Sequence, residues 1–320
     1  MACSSETRLE RILTRSGRRI PPDWVVTPRC AVCDGVRTNA GYLQACRPRR
    51  DFREGPSRIH VARTPWRRHR RVGRGHVITV PSDDGPGRGN RILTALPDAE
   101  RVQFSEAASN VTLDVRTVLF EPGRSIDAVY FPTDGVISLV TPLHDGAIVE
   151  VATIGNEGIV GVPLVPLGGL AVRAITQVAG HGLRVDAAVF TEWFERSHAF
   201  QTLVERYTQA LFGQIAQAAA CNRLHSSEER LSRWLLMSQD RVGSNHFLIT
   251  QEFLGQMLGT RRSTVSVSAG ILQRAGLIRY ARGHVTIVDR EALEAVSCEC
   301  YTVIKAELDR VVRQPPRHRD

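Results

Sequence analysis

The chain has 320 residues, with 42 Lys and Arg against 33 Asp and Glu, and seven cysteines. No apolar run approaches the ~18 to 20 residues that span a bilayer, and the N-terminus lacks the apolar core of a secretory signal. The cysteines are too few and too scattered for a disulfide framework, so a cytoplasmic protein of two or three domains, without a membrane partner, is expected.

The net charge of +9 is unevenly placed: residues 1–75 hold 18 arginines against six acids, and the remainder is slightly acidic. Residues 1–88 contain Pro21-Pro22, the run RRHRR at 67–71 and the loop-like SDDGPGRGN at 82–90, with poor hydrophobic periodicity. Such a composition cannot bury enough apolar surface to fold. The segment is expected to be a disordered basic extension, or a stretch ahead of the true start of the protein. A basic arm on nucleic acid is the sharper alternative.

From Asn90 the pattern changes. RILTALPDAERVQF has the spacing of one short amphipathic helix, with Asp98 and Glu100 in its second turn. Short β-branched runs follow at 117–120, 128–131, 136–140 and 147–154, separated by glycine turns, with further strands at 174–179 and 182–185. Strands this short and this regularly spaced predict an all-β sandwich or barrel. Residues 187–222 then switch to helical period. Leu203, Tyr207, Leu211 and Ile215 recur every four residues, extended by Phe200 and Ala218. That stripe packs either on the β-domain or on a second copy of the chain. Ser226 and Glu229 have capping-box spacing ahead of a helix to about 238.

The stretch QEFLGQMLGTRRSTVSVSAGILQRAGLIRY, 251–280, predicts two short helices joined at Gly259. Leu254, Met257 and Leu258 give the first an apolar face, and Thr250 caps it. The second, about 262–275, buries Val265, Ala269 and Leu272 and presents Arg262, Ser263, Ser266 and Gln273. Residues 277–288 then read as a hairpin with Arg282-Gly283 at its tip. Between 250 and 284 lie five arginines and one acid, Glu252, a basic patch on an acidic body. A polar, arginine-bearing helix N-terminus suits a major groove. Thr250, Gln251, Arg261, Arg262, Ser263, Thr264, Ser266, Arg279, Arg282 and His284 are the residues expected to contact double-stranded DNA.

This stretch closely resembles the winged helix of the Crp/Fnr transcription factors, and EPGRSIDAVYFPTDGVISLV and VEVATIGNEGIVG resemble that family's cyclic-nucleotide-binding-type roll. The resemblance covers about 90–312. It implies an α+β chain: a β-roll (a double-stranded β-helix or jelly roll) over 89–195, a dimerisation helix and hinge over 196–225, a winged helix-turn-helix over 226–312 and a tail over 313–320. It also implies a homodimer through Leu203, Tyr207, Leu211 and Ile215, a pseudo-palindromic operator, and RNA polymerase as a further partner. The nucleotide-binding relatives use a Gly-Glu turn and a following arginine. Here Glu157 precedes Gly158 and no arginine lies between Ile159 and Val172, so these two residues are the only candidates for effector contact and the effector is unknown or absent. Against those relatives, Arg262 stands where an arginine reads bases, Ser263 replaces a glutamate and Val267 a second arginine.

Other chemistry is not expected. Cys30-x2-Cys33 with Cys46 and Cys3, and the later Cys298 and Cys300, do not give a cluster of four thiolates in the iron–sulfur pattern. The cysteines are read as incidental, with no metal and no cofactor. The roll offers only His144 and His181, short of the His-x-His and carboxylate of a metal-dependent oxygenase, so the chain is not expected to be an enzyme. The alternative to a DNA-binding regulator is a sensory or interaction module on the same roll that does not act on DNA.

Overall fold

Apolar residues alternating between glycine-bearing turns build two open antiparallel sheets in the computed structural model, which describes residues 89–144, 146–161 and 171–313. Expectations for 1–88, for 314–320 and for Cys3, Cys30, Cys33 and Cys46 lie outside the described residues. The strands are β1 (Ser109–Leu113), β2 (Val118–Phe120), β3 (Ala128–Pro132), β4 (Val136–Pro142), β5 (Ile148–Ile154), β6 (Arg173–Val178) and β7 (Gly180–Asp186). They pair in the orders β1-β7-β3 and β2-β6-β4-β5. Val129, Phe131 and Val185 of the first sheet and Ile137, Leu139, Ile154 and Ala174 of the second share one buried core. This is the expected roll, built of open sheets rather than a closed barrel.

Two helices precede it, α1 (Arg91–Thr94) and α2 (Asp98–Glu106), where the spacing alone predicts one. Pro97 is the reason. A proline disfavours helical dihedrals at the residue before it, and here it sits at the N-cap of α2. Phe104 on α2 then centres an aromatic cluster, 5.1 Å from Phe131, 5.3 Å from Trp193 and 5.2 Å from Phe200 between ring centroids.

Three helices follow: α3 (Ala187–Arg196), the 27-residue α4 (His198–Leu224) and α5 (Ser227–Val242). Both halves of the Ser226–Glu229 capping box form. The apolar stripe of α4 does not face outward, which corrects the expected dimer seam. Leu203, Tyr207 and Leu211 are 2%, 1% and 5% exposed within a single protomer, and half-buried Ile215 packs at the edge of the same core. Their face lies on the roll: Gln214 Nε2 donates to the Thr153 carbonyl at 3.0 Å, and a Cβ at position 158 would sit 2.5 Å from the Tyr207 hydroxyl. Gly158 is therefore where α4 lands on the roll. The solvent face of α4 carries Glu205, Gln209, Phe212, Ala216, Ala219 and Ala220, with Phe212 72% exposed.

Glu157, beside it, is held from the other side. Its Oε1 accepts from Arg241 of α5, with Nε at 2.8 Å and Nη2 at 2.7 Å, and from the Gly155 amide at 3.2 Å. Arg241 also donates to the carbonyls of Thr153 at 3.0 Å and Met237 at 3.1 Å. Both side chains are almost wholly buried. The expected effector residues Glu157 and Gly158 are thus a landing site for α5 and α4, with Glu157 Oε1 paired to Arg241 and Gly158 packed against Tyr207. Cys221, Cys298 and Cys300 form a separate buried cluster.

The buried pair makes one prediction. Arg241→Ala leaves Glu157 buried without its partner, which costs about 3–5 kcal/mol, whereas replacing both by uncharged residues of similar size recovers most of it. Denaturant unfolding of Arg241→Ala and of Arg241→Met with Glu157→Gln measures the difference.

Glu150 makes another. Burial raises its carboxyl from 4.5 to about 7, against the opposing pull of the Ser138 hydroxyl, Arg233, Arg241 and Trp234. The Ser138 Oγ donates to it at 2.6 Å. With the folded pKa above the unfolded one, the unfolded chain loses its proton first. Stability attached to this group is therefore full below pH ~4.5 and is lost as pH rises through 7, by roughly 3 kcal/mol. Glu150→Gln should flatten the fall in Tm between pH 5 and 8, measured by calorimetry beside the parent protein.

Candidate nucleic-acid interface

The C-terminal part is built from β8 (His246–Leu248), α6 (Gln251–Met257), α7 (Arg262–Arg274), β9 (Ile278–Ala281), β10 (His284–Ile287), α8 (Arg290–Val296) and α9 (Cys300–Arg313). Thr250 caps α6, its hydroxyl accepting from the Phe253 amide at 3.2 Å. Leu254, Met257 and Leu258 are buried. Gly259 turns the chain at φ +57°, a conformation costly for residues with a Cβ, and Thr260 donates its amide to Gly255 O at 2.8 Å. The carbonyl of Leu258 also accepts from Arg230 of α5, which ties the turn to the domain's core.

Helix α7 buries Val265, Ser268, Ala269 and Leu272. Ser268 Oγ donates to Glu228 on α5 at 2.8 Å, so this face is fixed by polar and apolar contacts. The opposite face is open: Arg261, Arg262, Ser263, Ser266, Val267, Gln273 and Arg274 are exposed, and Thr264 is half-buried at the edge. Arg261, the N-cap residue, makes no side-chain cap. The first amides of a 13-residue helix therefore meet solvent beside two guanidinium groups, an arrangement that attracts phosphate.

The wing stands beside α7. Strands β8-β10-β9 form its sheet, and the β9–β10 hairpin turns through Arg282 at φ +50° and Gly283 at φ +82°. Two consecutive positive φ values make the type I′ turn that suits a twisted hairpin. The helical spacing places Gln273 on the face expected to meet a ligand. Its Oε1 instead accepts from the Tyr280 amide at 2.6 Å, and the Tyr280 hydroxyl donates to Ile249 O at 2.7 Å. The first bond fixes the wing to the end of α7, and the second fixes it to the segment ahead of α6. Burial pushes the Tyr280 phenol up to about 12, against the pull of the nearby Arg262 charge, so the phenol stays a donor throughout the physiological range. Sequence reasoning misses Tyr280. The available signal is a polar aromatic residue in the first wing strand, next to the helix end.

Arg279 and Arg282 project from the wing into solvent, Thr250 is exposed and Gln251 half-buried. His284 is half-buried, stacked on His246 with centroids 5.2 Å apart and with its Nδ1 3.3 Å from His246 Nε2. Among the described residues no carboxylate lies within ion-pair distance of Arg261, Arg262, Arg279 or Arg282. One helix terminus and one hairpin thus present four uncommitted cations around a row of small hydroxyls and one valine, 61% exposed at Val267. Such a surface can bind phosphates through its cations and contact base edges through Arg262, Ser263, Ser266 and Val267.

The arrangement is a winged helix-turn-helix joined by a long helix to a β-roll. Residues 229–296 match the Crp-like helix-turn-helix domain. No curated protein matches the chain by sequence. In fold, the chain is similar to FixK2 from Bradyrhizobium japonicum, at 14% identity over 60% of this chain and 98% of that one, TM-score 0.53. A transcriptional regulator of the Crp/Fnr family from Eubacterium rectale is similar over 64% of this chain and 96% of its own, at 15% identity and TM-score 0.50. A CRP-family regulator from Thermus thermophilus gives 18% identity, 58% and 96% coverage and TM-score 0.50. The chain therefore carries a Crp-like helix-turn-helix domain on the fold of the Crp/Fnr transcription regulators. Among the described residues, no helix is long and apolar enough to cross a membrane.

Proposed function

We propose that this protein is a cytoplasmic transcription regulator that binds a pseudo-palindromic DNA operator as a homodimer and acts by binding rather than by catalysis. The observation that carries the reading is the exposed N-terminus of α7. Arg262, Ser263, Ser266 and Val267 share one solvent face there, while Val265, Ala269 and Leu272 behind them are buried. Arg262 is the base-reading arginine, bidentate to a guanine, and Arg261, Arg279 and Arg282 hold phosphates, with Thr250, Gln251, Thr264 and His284 at the margin. Ser263 is shorter than glutamate and carries no charge, so it does not replace a carboxylate on cytosine N4, and the half-site differs there from that of relatives with glutamate at this position. RNA polymerase is the partner through which such a dimer would regulate.

Selection from a random DNA pool followed by titration tests this. Arg262→Ala should cost about 1–3 kcal/mol and relax preference at a single base pair per half-site. Arg282→Ala should weaken all sequences alike and lower the salt slope by about one charge per subunit. Base preference that survives Arg262→Ala and changes with Arg282→Ala would reverse the roles of helix and wing. Failure to enrich any sequence would favour a roll-based interaction module that does not act on DNA.

The dimer face is reassigned to the solvent side of α4. Phe212, Ala216, Ala219 and Ala220 recur at helical spacing on that side, and small residues flanking one large apolar residue let two helices approach closely. Phe212→Glu with Ala216→Glu should give monomers in light scattering, because each places an unpaired charge in the seam. Leu211→Glu should unfold the protomer instead, since that side chain lies in its own core.

The roll works without a bound cyclic nucleotide in this reading, because Glu157 is spent on Arg241. The domain contact that a nucleotide would otherwise have to create is already made within the protomer.

A further inference from the structure

Cys221 and His225 lie four residues apart at the C-terminal end of α4, so their side chains share one helix face. Cys298 and Cys300 bracket Glu299 where α8 gives way to α9. The packing of α9 along α4 brings these two ends together across 77 residues of sequence. The ligating atoms of Cys221, His225, Cys298 and Cys300 all lie within 4.8 Å of one another. Cys221 Sγ is 3.6 Å from Cys298 Sγ, and Cys300 Sγ is 3.4 Å from His225 Nδ1. The three cysteines are at most 1% exposed.

These distances discriminate between chemistries. A disulfide needs sulfurs ~2.05 Å apart, well short of the separation found. Tetrahedral zinc, with Zn–S bonds of ~2.3 Å, sets its sulfurs ~3.8 Å apart. Three buried sulfurs and one imidazole nitrogen are the donor set of a closed structural site rather than a catalytic one.

The surroundings match as well. His225 turns Nδ1 to the sulfurs while its Nε2 lies 3.2 Å from Glu299 Oε1. A carboxylate there holds the proton on Nε2 and leaves the Nδ1 lone pair for a metal. Gln217 Nε2 donates to Cys300 Sγ at 3.1 Å, as expected beside a thiolate.

We propose that Cys221, His225, Cys298 and Cys300 bind one zinc ion, which staples the C-terminal end of α4 to the α8–α9 junction. The staple spans the joint at which α4 ends and the winged helix domain begins. It fixes the orientation of one on the other and closes a long loop of chain. The inference rests on side-chain geometry alone and is independent of whether the wing and α7 bind DNA.

The experiment uses the full chain with Cys3, Cys30, Cys33 and Cys46 changed to Ser, which removes the remaining thiols. Elemental analysis of this protein, purified without chelator, should give one zinc per chain, and the further pair Cys298→Ser and Cys300→Ser should reduce zinc to background. If that pair fails to fold, cobalt decides: replacing zinc by Co2+ in the four-serine protein should produce thiolate-to-cobalt charge transfer and the strong visible bands of a tetrahedral site. A four-serine protein with reduced thiols that takes up neither metal overturns the proposal. So does zinc retained without Cys298 and Cys300, or the absorption of an iron–sulfur cluster in place of zinc.

Discussion

The joint between roll and winged helix depends on one buried ion pair, Glu157 with Arg241. A carboxylate in a turn of the roll and a guanidinium near the end of α5 are each expensive to bury alone, and each is tolerable only because the other is there. Arg241 then adds two carbonyls, Thr153 and Met237, to its contacts, so one side chain links β5, the following turn and its own helix. Gly158, next in the chain, lets the Tyr207 ring close over the same turn. The segment Gly155–Gly158 is therefore a socket into which two helices fit. Any rearrangement between the domains must either leave this socket whole or break a charge pair out of contact with water.

The outer face of the winged helix follows from how the inner face is fixed. Helix α7 is held by Val265, Ala269 and Leu272, by Ser268 on Glu228, and by Gln273 on the wing backbone. None of these groups can turn outward without leaving a void or an unpaired polar atom. The residues left over are short or cationic, and they occupy a rigid platform. Preorganisation of this kind lowers the ordering cost of binding, because only the arginine side chains need to be immobilised.

Much of this is legible along the chain, and the failures have physical causes. The helix pair at 251–274 follows from the spacing of Leu254, Met257, Val265, Ala269 and Leu272, with Gly259 at the turn. Strands β2 to β7 follow from β-branched runs between glycines. Strand β1 does not, because of its five residues only Leu113 is buried, and alternation needs a buried face to be seen. Pro97 is visible, but its break is masked by a run with helical spacing. Periodicity on α4 identifies an apolar face without saying what covers it. The roll covers Leu203, Tyr207 and Leu211, and the true outward face reads as ordinary alanines around Phe212. The cysteine cluster is hidden for a different reason. Cys-x3-His and Cys-x-Cys are both short metal-ligand spacings, but 77 residues separate Cys221 from Cys298, and only the tertiary packing of α9 on α4 unites them. Glu157 stands out as a ligand residue on family precedent alone, which overlooks that its partner can come from another domain of the same chain.

The wing tip shows a conflict between two demands on one position. Arg282 holds a left-handed backbone conformation that asparagine or glycine adopts with less strain, at a cost of about 1 kcal/mol or more for an ordinary side chain. A sequence selected for hairpin formation alone would place asparagine there, ahead of Gly283. The chain instead keeps a bulky cation at the point of maximum projection. Arg282 thus carries its charge on a strained turn residue exposed to solvent. Engineering the protein for heat resistance would therefore replace Arg282 early, and by doing so would remove a charge from the exposed tip of the wing.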